Sequence, residues 1–412
     1  MFVSHPTGNA NVRNLLMGLV EERLLDQYHT TVAVFETGVG DSVGRLPGMA
    51  ALTRRRYPDA LRSIAKCHPF RECVRLLAMS TGCRWLFENE KSLASIDAVT
   101  KSLDVSVSRR MIHSRVKAVY AYEDGALESF RAARRLGIKC IYEHPVGYWR
   151  EVHRLMRDEA ELQPEWAATM RGLSDSDEKL ARKDAELASA DRVVVASSFS
   201  LNSLASFPGK LPPVSVVPYG APSPAPSGRQ VKHSDAQALR VLFVGGLGQM
   251  KGLSYLFSAV SMLGSSVDLT VIGRKPVIGV PALERALKAA RWIETLPNQE
   301  VLRQMQAHDV LVFPSLSEGF GMVITEAMSQ GLPVITTPHT CGPDVLTEGE
   351  DGFIVPIRDP QAIAEKLELL HRDRGRLAAM SEAARKKAES LTWESYRKGV
   401  VEVVRSVLDK RE

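Results

Sequence analysis

Residues 310–327 read VLVFPSLSEGFGMVITEA, and this stretch decides the fold. An apolar run ends at Pro314, a turn with glycines at positions 319 and 321 follows, and a second apolar run continues to about residue 330. We predict a buried strand at Val310–Pro314 and a helix at Met322–Gln330. A buried strand that leads through a glycine turn into a helix is the repeating unit of parallel α/β sheets.

Two carboxylates flank the start of this helix. Glu318 lies on the turn and Glu326 lies within the first two helical turns, so both can line one end of the same sheet. The free backbone N–H groups at the helix start favour a phosphate. Ionised carboxylates only accept hydrogen bonds, which suits hydroxyl groups. From the spacing alone, a helix-capping Glu318 and a solvated Glu326 remain the alternative.

A second strand–turn–helix unit lies upstream, at residues 240–252, which read RVLFVGGLGQMKG. The strand Arg240–Val244 ends in a glycine-rich turn, and Lys251 opens the next helix. Glycines let the backbone approach an anion closely, and a lysine adds a point charge. The pattern predicts a second phosphate-binding loop at the same sheet edge.

Strands and helices alternate along the rest of the chain as well. In the second half the further predicted strands are Asp268–Ile272, Arg291–Thr295, Pro333–Thr336 and Phe353–Val355, and the further predicted helices are Gly252–Leu263, Pro281–Ala290, Glu300–Ala307, Asp359–Leu370, Arg374–Ser390 and Trp393–Leu408. In the first half the predicted strands are Thr31–Phe35, Ala118–Ala121, Lys139–Glu143, Arg192–Ala196 and Val214–Pro218, with helices such as Gly125–Leu136 and Ser197–Phe207 between them. This alternation predicts parallel sheets covered by helices on both faces.

A Pro-, Ser- and Gly-rich segment at 220–238 separates the two halves and reads as a linker. We therefore predict an α/β protein with two Rossmann-like, doubly wound domains, residues 1–219 and 239–392, that face each other across a cleft. A basic helical insertion is expected at about residues 45–90. The last segment, 393–412, is expected to form a helix that packs back on the N-terminal domain.

The motifs of the second half resemble the signature of glycosyltransferase family 4. The resemblance rests on Ser-Glu-Gly-Phe-Gly at 317–321, on Glu326, and on the downstream segments 331–335, 342–344 and 349–356. It implies a GT-B fold and a retaining transfer of a sugar from a nucleotide-diphosphate sugar to a hydroxyl acceptor, a hexosyltransferase reaction. In that family the first glutamate contacts the donor sugar and the second contacts the ribose, which assigns these roles to Glu318 and Glu326.

The resemblance extends to the residues around the phosphates. It implies that Lys251 neutralises the leaving diphosphate and that the remaining donor-binding positions are Gly246, Gly248, Gly319, Phe320, Gly321, Met322 and Val323. Gly246 departs from the family pattern, because the family usually has an arginine there. Arg274, after the next predicted strand, is a candidate to compensate, with an ordinary surface arginine as the alternative.

The first half offers weaker matches on the acceptor side of the cleft. His144 ends a predicted strand where the family usually has a histidine at the junction of donor and acceptor, although a core histidine fits the sequence equally. His5, Gly8 and Asn9 follow the first predicted strand and are the further candidates for acceptor or phosphate contacts. The resemblance thus assigns residues 1–219 to acceptor binding and residues 239–392 to donor binding.

No metal site or cofactor is expected. Asp175-Ser176-Asp177 imitates the Asp-x-Asp metal motif of another glycosyltransferase fold, but an Asp-rich helix start is ordinary. The glycine-rich turn at 245–252 also fits a dinucleotide fingerprint. An NAD(P)-dependent oxidoreductase is nevertheless disfavoured, because no acidic residue ends the following strand. A non-catalytic partner subunit is the other alternative, since Gly246 replaces the usual arginine.

Composition and charge limit the kinds of binding partner that the sequence suggests. A formal charge of +5 is too small to indicate nucleic-acid binding, and the scattered cysteines, five in number, suit a reduced, cytoplasmic protein. The start of the chain shows no pattern of a signal peptide. Basic residues interleaved with apolar ones at about 45–90, among them Arg71, Arg75 and Arg84, suit either a solvated helix or peripheral contact with an anionic membrane. The second option would bring the protein to a lipid-linked acceptor at the inner membrane face.

Overall fold

The N-terminal half folds around a parallel sheet. The computed structural model describes residues 1–37, 55–170, 175–226 and 237–409. Within these residues, a seven-stranded sheet has the order β5-β2-β1-β6-β7-β8-β9. Its strands are β1 (Phe2–Ser4), β2 (Gln27–Thr30), β5 (Ala65–Cys67), β6 (Ala118–Tyr122), β7 (Lys139–His144), β8 (Arg192–Val195) and β9 (Val214–Val216). The pairings of neighbouring strands are all parallel, as the alternating pattern predicted.

Helices cover both faces of this sheet because each strand is followed by a crossover connection. The helices are α1 (Ala10–Glu21), α2 (Phe70–Thr81), α3 (Ile96–Met111), α4 (Leu127–Arg135), α5 (Trp149–Leu162), α6 (Asp177–Ser189) and α7 (Ser198–Ser203). One face packs against α1 and the other packs against α3, so the central strands are buried on both sides.

The C-terminal half repeats the arrangement with a six-stranded parallel sheet in the order β12-β11-β10-β13-β14-β15. Its strands are β10 (Leu239–Val244), β11 (Val267–Ile272), β12 (Arg291–Ile293), β13 (Val310–Phe313), β14 (Val334–Thr336) and β15 (Gly352–Ile354). The helices are α8 (Leu253–Leu263), α9 (Pro281–Leu287), α10 (Asn298–Ala307), α11 (Met322–Ser329), α12 (Gly342–Val345), α13 (Pro360–Arg372) and α14 (Arg374–Ala388). Each predicted strand and helix of this half is present to within a few residues.

The first half differs from the sequence prediction at its second strand. The strand predicted at Thr31–Phe35 is displaced, because β2 already ends at Thr30 and the Thr31 hydroxyl donates to the Pro6 carbonyl at 2.6 Å. Only Val34–Phe35, β3, is extended there, and it pairs with β4 (Arg56–Tyr57) in a separate two-stranded ribbon.

The predicted helical insertion at about 45–90 is only partly helical. Its residues up to 54 lie outside the described part of the chain. Beyond them, β5 joins the edge of the large sheet by pairing with β2, and α2 is the main helix. The basic composition had hidden the short strand, because Ala65-Lys66-Cys67 has no apolar run.

The last helix, α15 (Trp393–Leu408), begins and ends as predicted. It lies against α1: the Gly18 position is so close that an added Cβ would be 3.0 Å from the Cβ of Arg397. Arg397 is 3.7 Å from Glu21, and Arg405 forms an ion pair with Glu22. The chain therefore crosses back to the first sheet after completing the second one.

Candidate active site

The loops that follow β10 and β13 are joined at the carboxyl edge of the second sheet. Leu316 N–H donates to the Met250 carbonyl at 2.9 Å, and the Ser315 hydroxyl reaches the same oxygen at 3.2 Å. On the other side, Glu318 N–H donates to the His339 carbonyl at 3.0 Å. The turn that carries Glu318 is thus held between its two neighbouring loops.

This arrangement brings Lys251 and Glu318 into an ion pair. Both side chains keep some access to solvent, with 16% of Lys251 and 23% of Glu318 exposed. The ammonium also lies 5.6 Å from the centre of the Phe313 ring. Because the pair is not sealed in the interior, an incoming anion can compete with Glu318 for the ammonium.

The start of α11 lies directly beyond this pair. Gly321 precedes the helix with φ +86°, a left-handed conformation that favours glycine, and an added Cβ would be 3.2 Å from the Glu318 Cγ. No side chain of the described residues caps the start of α11. Its first residues, Met322 and Val323, are half-buried, and their N–H groups lie at the positive end of the helix dipole.

Glu326 lies farther along α11 and is also half-buried. It accepts a hydrogen bond from the side-chain amide of Asn298, the first residue of α10, at 3.1 Å. Burial raises the pKa of Glu326 above its usual range, and the Asn298 hydrogen bond opposes this shift. The sequence prediction did not identify Asn298 as a partner, since the contact joins helices that are 28 residues apart.

The glycine-rich turn after β10 contains two different kinds of glycine. Gly246 is exposed and an added Cβ would meet nothing within 4 Å. At Gly248 the added Cβ would be 2.9 Å from the Thr169 carbonyl of the first half, so this glycine serves the packing of the two halves. Arg274 has an exposed side chain, and its carbonyl accepts from Leu247 N–H at 3.0 Å, which places its backbone beside the turn.

Gly319 and Phe320 hold the two sheet edges together. An added Cβ at Gly319 would be 1.9 Å from the Pro145 carbonyl, directly after β7, and the Gly319 carbonyl accepts from the Ser197 hydroxyl at 2.6 Å. The Phe320 ring is buried 5.1 Å from the Tyr219 ring. The Phe320 side chain therefore packs between the halves, and only its backbone can face a ligand.

His144 is enclosed in the first half. Its ring lies among Tyr142, Tyr148 and Glu123, with Nδ1 3.8 Å from a Glu123 carboxylate oxygen. Neither ring nitrogen has a hydrogen-bond partner among the described residues, and burial lowers the pKa. In this structure the ring is buried, so a contact with a substrate would require the ring to become exposed.

The residues after β1 have distinct environments. The His5 Nδ1 accepts from Thr7 N–H at 3.1 Å and from Gly8 N–H at 2.8 Å, and burial lowers its pKa to about 3. These hydrogen bonds assign the proton of the neutral ring to Nε2. Gly8, with φ +70°, is buried beneath the Tyr57 hydroxyl. Asn9 is exposed and lines a cleft of about 760 Å³ together with Arg13 of α1.

A buried glutamate that the sequence prediction missed connects the halves. Glu159 of α5 is inaccessible to solvent and accepts from the Gln249 amide at 2.7 Å, the Tyr255 hydroxyl at 2.9 Å and the Arg358 guanidinium at 2.7 Å. Gln249 directly precedes the Met250-Lys251 pair in sequence. Glu159 thus fixes the loop that carries Lys251 relative to the first sheet.

The Asp175-Ser176-Asp177 segment has ordinary helix-start contacts. Asp175 accepts from the Lys179 ammonium at 2.8 Å, and the Ser176 hydroxyl caps α6 by accepting from Lys179 N–H at 3.3 Å. Across the described ranges, no group of three or more His, Cys, Asp or Glu side chains is placed to hold a metal ion. None of the helices in those ranges is long and apolar enough to cross a membrane.

Comparison with known sequences finds a family match in the second half of the chain. Residues 227–387 match the family described as "Glycosyl transferases group 1". The chain is 33% identical over 181 residues to a D-inositol 3-phosphate glycosyltransferase of Corynebacterium urealyticum, covering 40% of this chain and 42% of that protein. It is 30% identical over 170 residues to the amylovoran biosynthesis glycosyltransferase AmsK of Erwinia amylovora, covering 37% and 41%. The chain thus spans about two fifths of the length of the curated relatives it matches.

The whole chain is similar in structure to Anabaena HepE in complex with UDP-glucose, with a TM-score of 0.62 and 14% sequence identity over 98% of this chain and 99% of that chain. At this identity the likeness concerns the fold alone. The predicted GT-B architecture of two Rossmann-like units is therefore confirmed for the described part of the chain, and residues 227–387 are similar to the glycosyl transferases group 1 family.

Proposed function

We propose that the protein is a retaining glycosyltransferase that moves a hexose from a nucleotide-diphosphate sugar to a hydroxyl acceptor in bacterial polysaccharide or glycoconjugate synthesis. One observation carries this proposal: the part-exposed Lys251–Glu318 ion pair lies beside the uncapped start of α11, whose second turn bears Glu326. The cation and the helix start match the diphosphate of such a donor. The two separate carboxylates match the hydroxyl groups of its sugar and of its ribose.

The donor diphosphate would displace Glu318 from Lys251. The ammonium and the N–H groups of Met322 and Val323 then stabilise the charge that grows on the diphosphate as the glycosidic bond breaks. The released Glu318 carboxylate accepts hydrogen bonds from the sugar hydroxyls, and Glu326, positioned by Asn298, accepts from the ribose. In this scheme the departing phosphate oxygen takes the acceptor proton, so the mechanism needs no side-chain base and no cofactor.

The acceptor would bind to the first half, at the cleft beside Asn9. A lipid-linked acceptor and peripheral contact with the inner membrane face fit the surface around α2. There, the Phe70 and Trp85 side chains are each 76% exposed, and Arg71 and Arg84 lie next to them in sequence. Arg75 adds less free charge than the sequence suggested, because it pairs with Glu72, which also binds Arg55.

Co-sedimentation with vesicles tests the membrane contact. We expect the protein to sediment with vesicles that contain anionic phospholipid, and we expect Phe70→Ser/Trp85→Ser to remain in the supernatant. Leu136→Ser, which changes an exposed leucine at the end of α4, is the matched control. Equal sedimentation of all three proteins would reject this surface as the membrane contact.

A thermal-shift screen of nucleotide sugars, followed by a transfer assay, tests the proposed activity. A donor present at about 100 times its dissociation constant should stabilise the protein by about 2.7 kcal/mol. NADH and NADPH serve as negative ligands. Stabilisation by a reduced nicotinamide cofactor and by none of the nucleotide sugars would reject the proposal in favour of an oxidoreductase.

A non-catalytic partner subunit is the second candidate, and the open space at Gly246 favours it. The arginine expected at this position is absent, and no described side chain occupies its place within 4 Å. Donor binding without any sugar transfer or donor hydrolysis would support this candidate. Turnover by the purified chain would exclude it.

A further inference from the structure

A second cavity lies at the outer edge of the first sheet, on the face that α3 covers. It measures about 660 Å³ and lies beside β5 and β2, the two strands at the far end of the sheet from β9. Its lining is rich in basic and imidazole side chains and consists of His29, Ala65, Lys66, Cys67, His68, Ser106, Arg109, Arg110 and His113. No carboxylate is among these lining residues.

Sheet register and one helix end bring the cations together. His29 and Lys66 are partners in the β2–β5 pairing, so their side chains point to the same face of the sheet. Arg109 and Arg110 belong to the last turn of α3, which packs over that face. Prevention of sheet extension would by itself explain a lysine on an edge strand. It does not explain the two arginines on the helix.

No partner is found for the cations of this cavity among the described residues, whereas several other cations of the same half are paired. Arg182 pairs with Asp97, and Arg55 and Arg75 share Glu72. By contrast, we find no ion pair or side-chain hydrogen bond for Lys66, Arg109 or Arg110 within the described ranges. Mutually repelling charges in a concave site raise its positive potential, which favours binding of an anion.

His29 adds a buried ring nitrogen without a partner among the described residues to the wall of this cavity. Its side chain is 1% exposed, and its Nδ1 lies 3.2 Å from the Nε2 of His68. The His29 Nε2 has no partner in the described part of the chain, although buried polar atoms are normally hydrogen-bonded. Burial first, and then the nearby charges of His68, Arg110 and Lys66, lower the pKa of His29 to about 3, so the ring is neutral. The contact with His68 is compatible with either tautomer of the neutral ring, so the His29 Nε2 is either an unsatisfied donor or an unsatisfied acceptor.

We infer that this cavity is a binding site for a phosphate group, held by Lys66, Arg109 and Arg110. A phosphate offers several acceptor oxygens, which matches two guanidinium forks and an ammonium better than a single carboxylate does. The site is separate from the Lys251 loop, because it lies at the outer edge of the other sheet. A soluble phosphate ester and an anionic phospholipid headgroup carry the same chemistry.

Calorimetric titration with inorganic pyrophosphate tests the soluble source. The Lys251→Ala variant provides the background, so that the candidate donor loop does not contribute to the signal. Loss of one charged donor to a phosphate should weaken binding about tenfold or more. We expect this loss in Lys66→Ala and in Arg110→Ala, and no change in Arg135→Ala, an exposed arginine at the end of α4.

Sedimentation with phosphatidylcholine vesicles, with and without phosphatidylglycerol, tests the lipid source with the same variants, made in the Phe70→Ser/Trp85→Ser background so that the surface around α2 does not contribute. Binding to pyrophosphate that depends on Lys66 and Arg110 supports a soluble ligand. Binding only to phosphatidylglycerol vesicles, with the same dependence, supports a headgroup. Absence of both, or equal binding by Arg135→Ala, Lys66→Ala and Arg110→Ala, overturns the inference. Because these readouts do not involve sugar transfer, their failure leaves the proposed sugar transfer intact.

Discussion

The carboxyl edges of the two sheets both bear glutamates, but the glutamates have opposite surroundings. At the edge of the second sheet, Glu318 and Glu326 are half-buried, and their protein partners are a displaceable lysine and a single amide. At the edge of the first sheet, Glu143 and Glu186 are fully enclosed. Glutamates near the carboxyl edges of the two sheets therefore have two kinds of environment.

The enclosed glutamates are satisfied by the protein itself. Glu143 accepts from the Tyr120 hydroxyl at 2.5 Å and the Tyr219 hydroxyl at 2.7 Å. Glu186 accepts from the backbone N–H groups of Asp124 at 2.9 Å and Ala126 at 3.1 Å. A buried carboxylate with internal donors organises the loops after its strands, whereas a carboxylate with few internal donors is available to a ligand. The glutamates of the first edge thus have a structural role, and the surroundings of the glutamates at the second edge support the donor-binding role that we propose for them.

The largest effect is expected at the second edge. Removing a preorganised donor to a developing oxyanion costs roughly 2.7–4 kcal/mol, or about 10²–10³ in rate. Because Gly246 supplies no charge, Lys251→Ala should lower kcat at least that far, with a smaller change in apparent donor affinity. Steady-state kinetics measure the change in kcat. The control is Lys275→Ala, which alters a lysine in the loop after β11 that pairs with Glu284. A near-normal kcat would show that the charge comes from elsewhere, with Arg274 the first residue to examine.

At the edge of the first sheet, the buried Glu186 should make the free energy of unfolding depend on pH. Burial raises the pKa of Glu186 to about 8, whereas an unfolded glutamate titrates near its usual value. The native state then holds a proton that the unfolded state has lost, so the free energy of unfolding should decrease as pH rises towards 8, by up to about 1.4 kcal/mol per pH unit.

Urea denaturation at several pH values checks this slope. Glu186→Gln cannot ionise and should flatten the dependence, while Glu128→Gln, an exposed glutamate of α4, should not. An unchanged slope in Glu186→Gln would mean that this carboxyl is already ionised in the native state.

A smaller gain is expected when the arginine of the resembled family is restored at the second edge. Gly246 has room for a side chain. We expect Gly246→Arg to recover about tenfold in kcat, or 1.4 kcal/mol, when introduced into Lys251→Ala. No recovery in the double variant would indicate that the turn does not hold the diphosphate as the family's loop does.

The smallest effect is expected from metal removal. Charge stabilisation by Lys251 and the start of α11 needs no metal, so activity should be unchanged after extensive chelation by EDTA. Loss of turnover that manganese or magnesium restores would contradict this prediction. Asp175 and Asp177 would then need to be tested as ligands.

The same contrast explains what the sequence could predict. The unit at 310–330 was predictable because a central parallel strand is a continuous apolar run and the following turn requires Gly321. Strand β5 could not be predicted in this way. It is a short edge strand that forms because it pairs with β2, and its own composition gives no strand pattern. The roles of Glu159 and Asn298 were hidden for another reason: each depends on an element distant in sequence, and each reads locally as an ordinary helix residue.

Calorimetric binding of a nucleoside diphosphate and of the matching nucleotide sugar tests the central claim most directly. Glu326→Ala should weaken both ligands, because it removes the ribose partner. Glu318→Ala should weaken binding of the nucleotide sugar but not of the bare diphosphate, because in the proposed donor complex the Glu318 carboxylate has left Lys251 and contacts the sugar. Equal losses for both ligands in both variants would contradict the assignment of the two glutamates to the two ends of the donor.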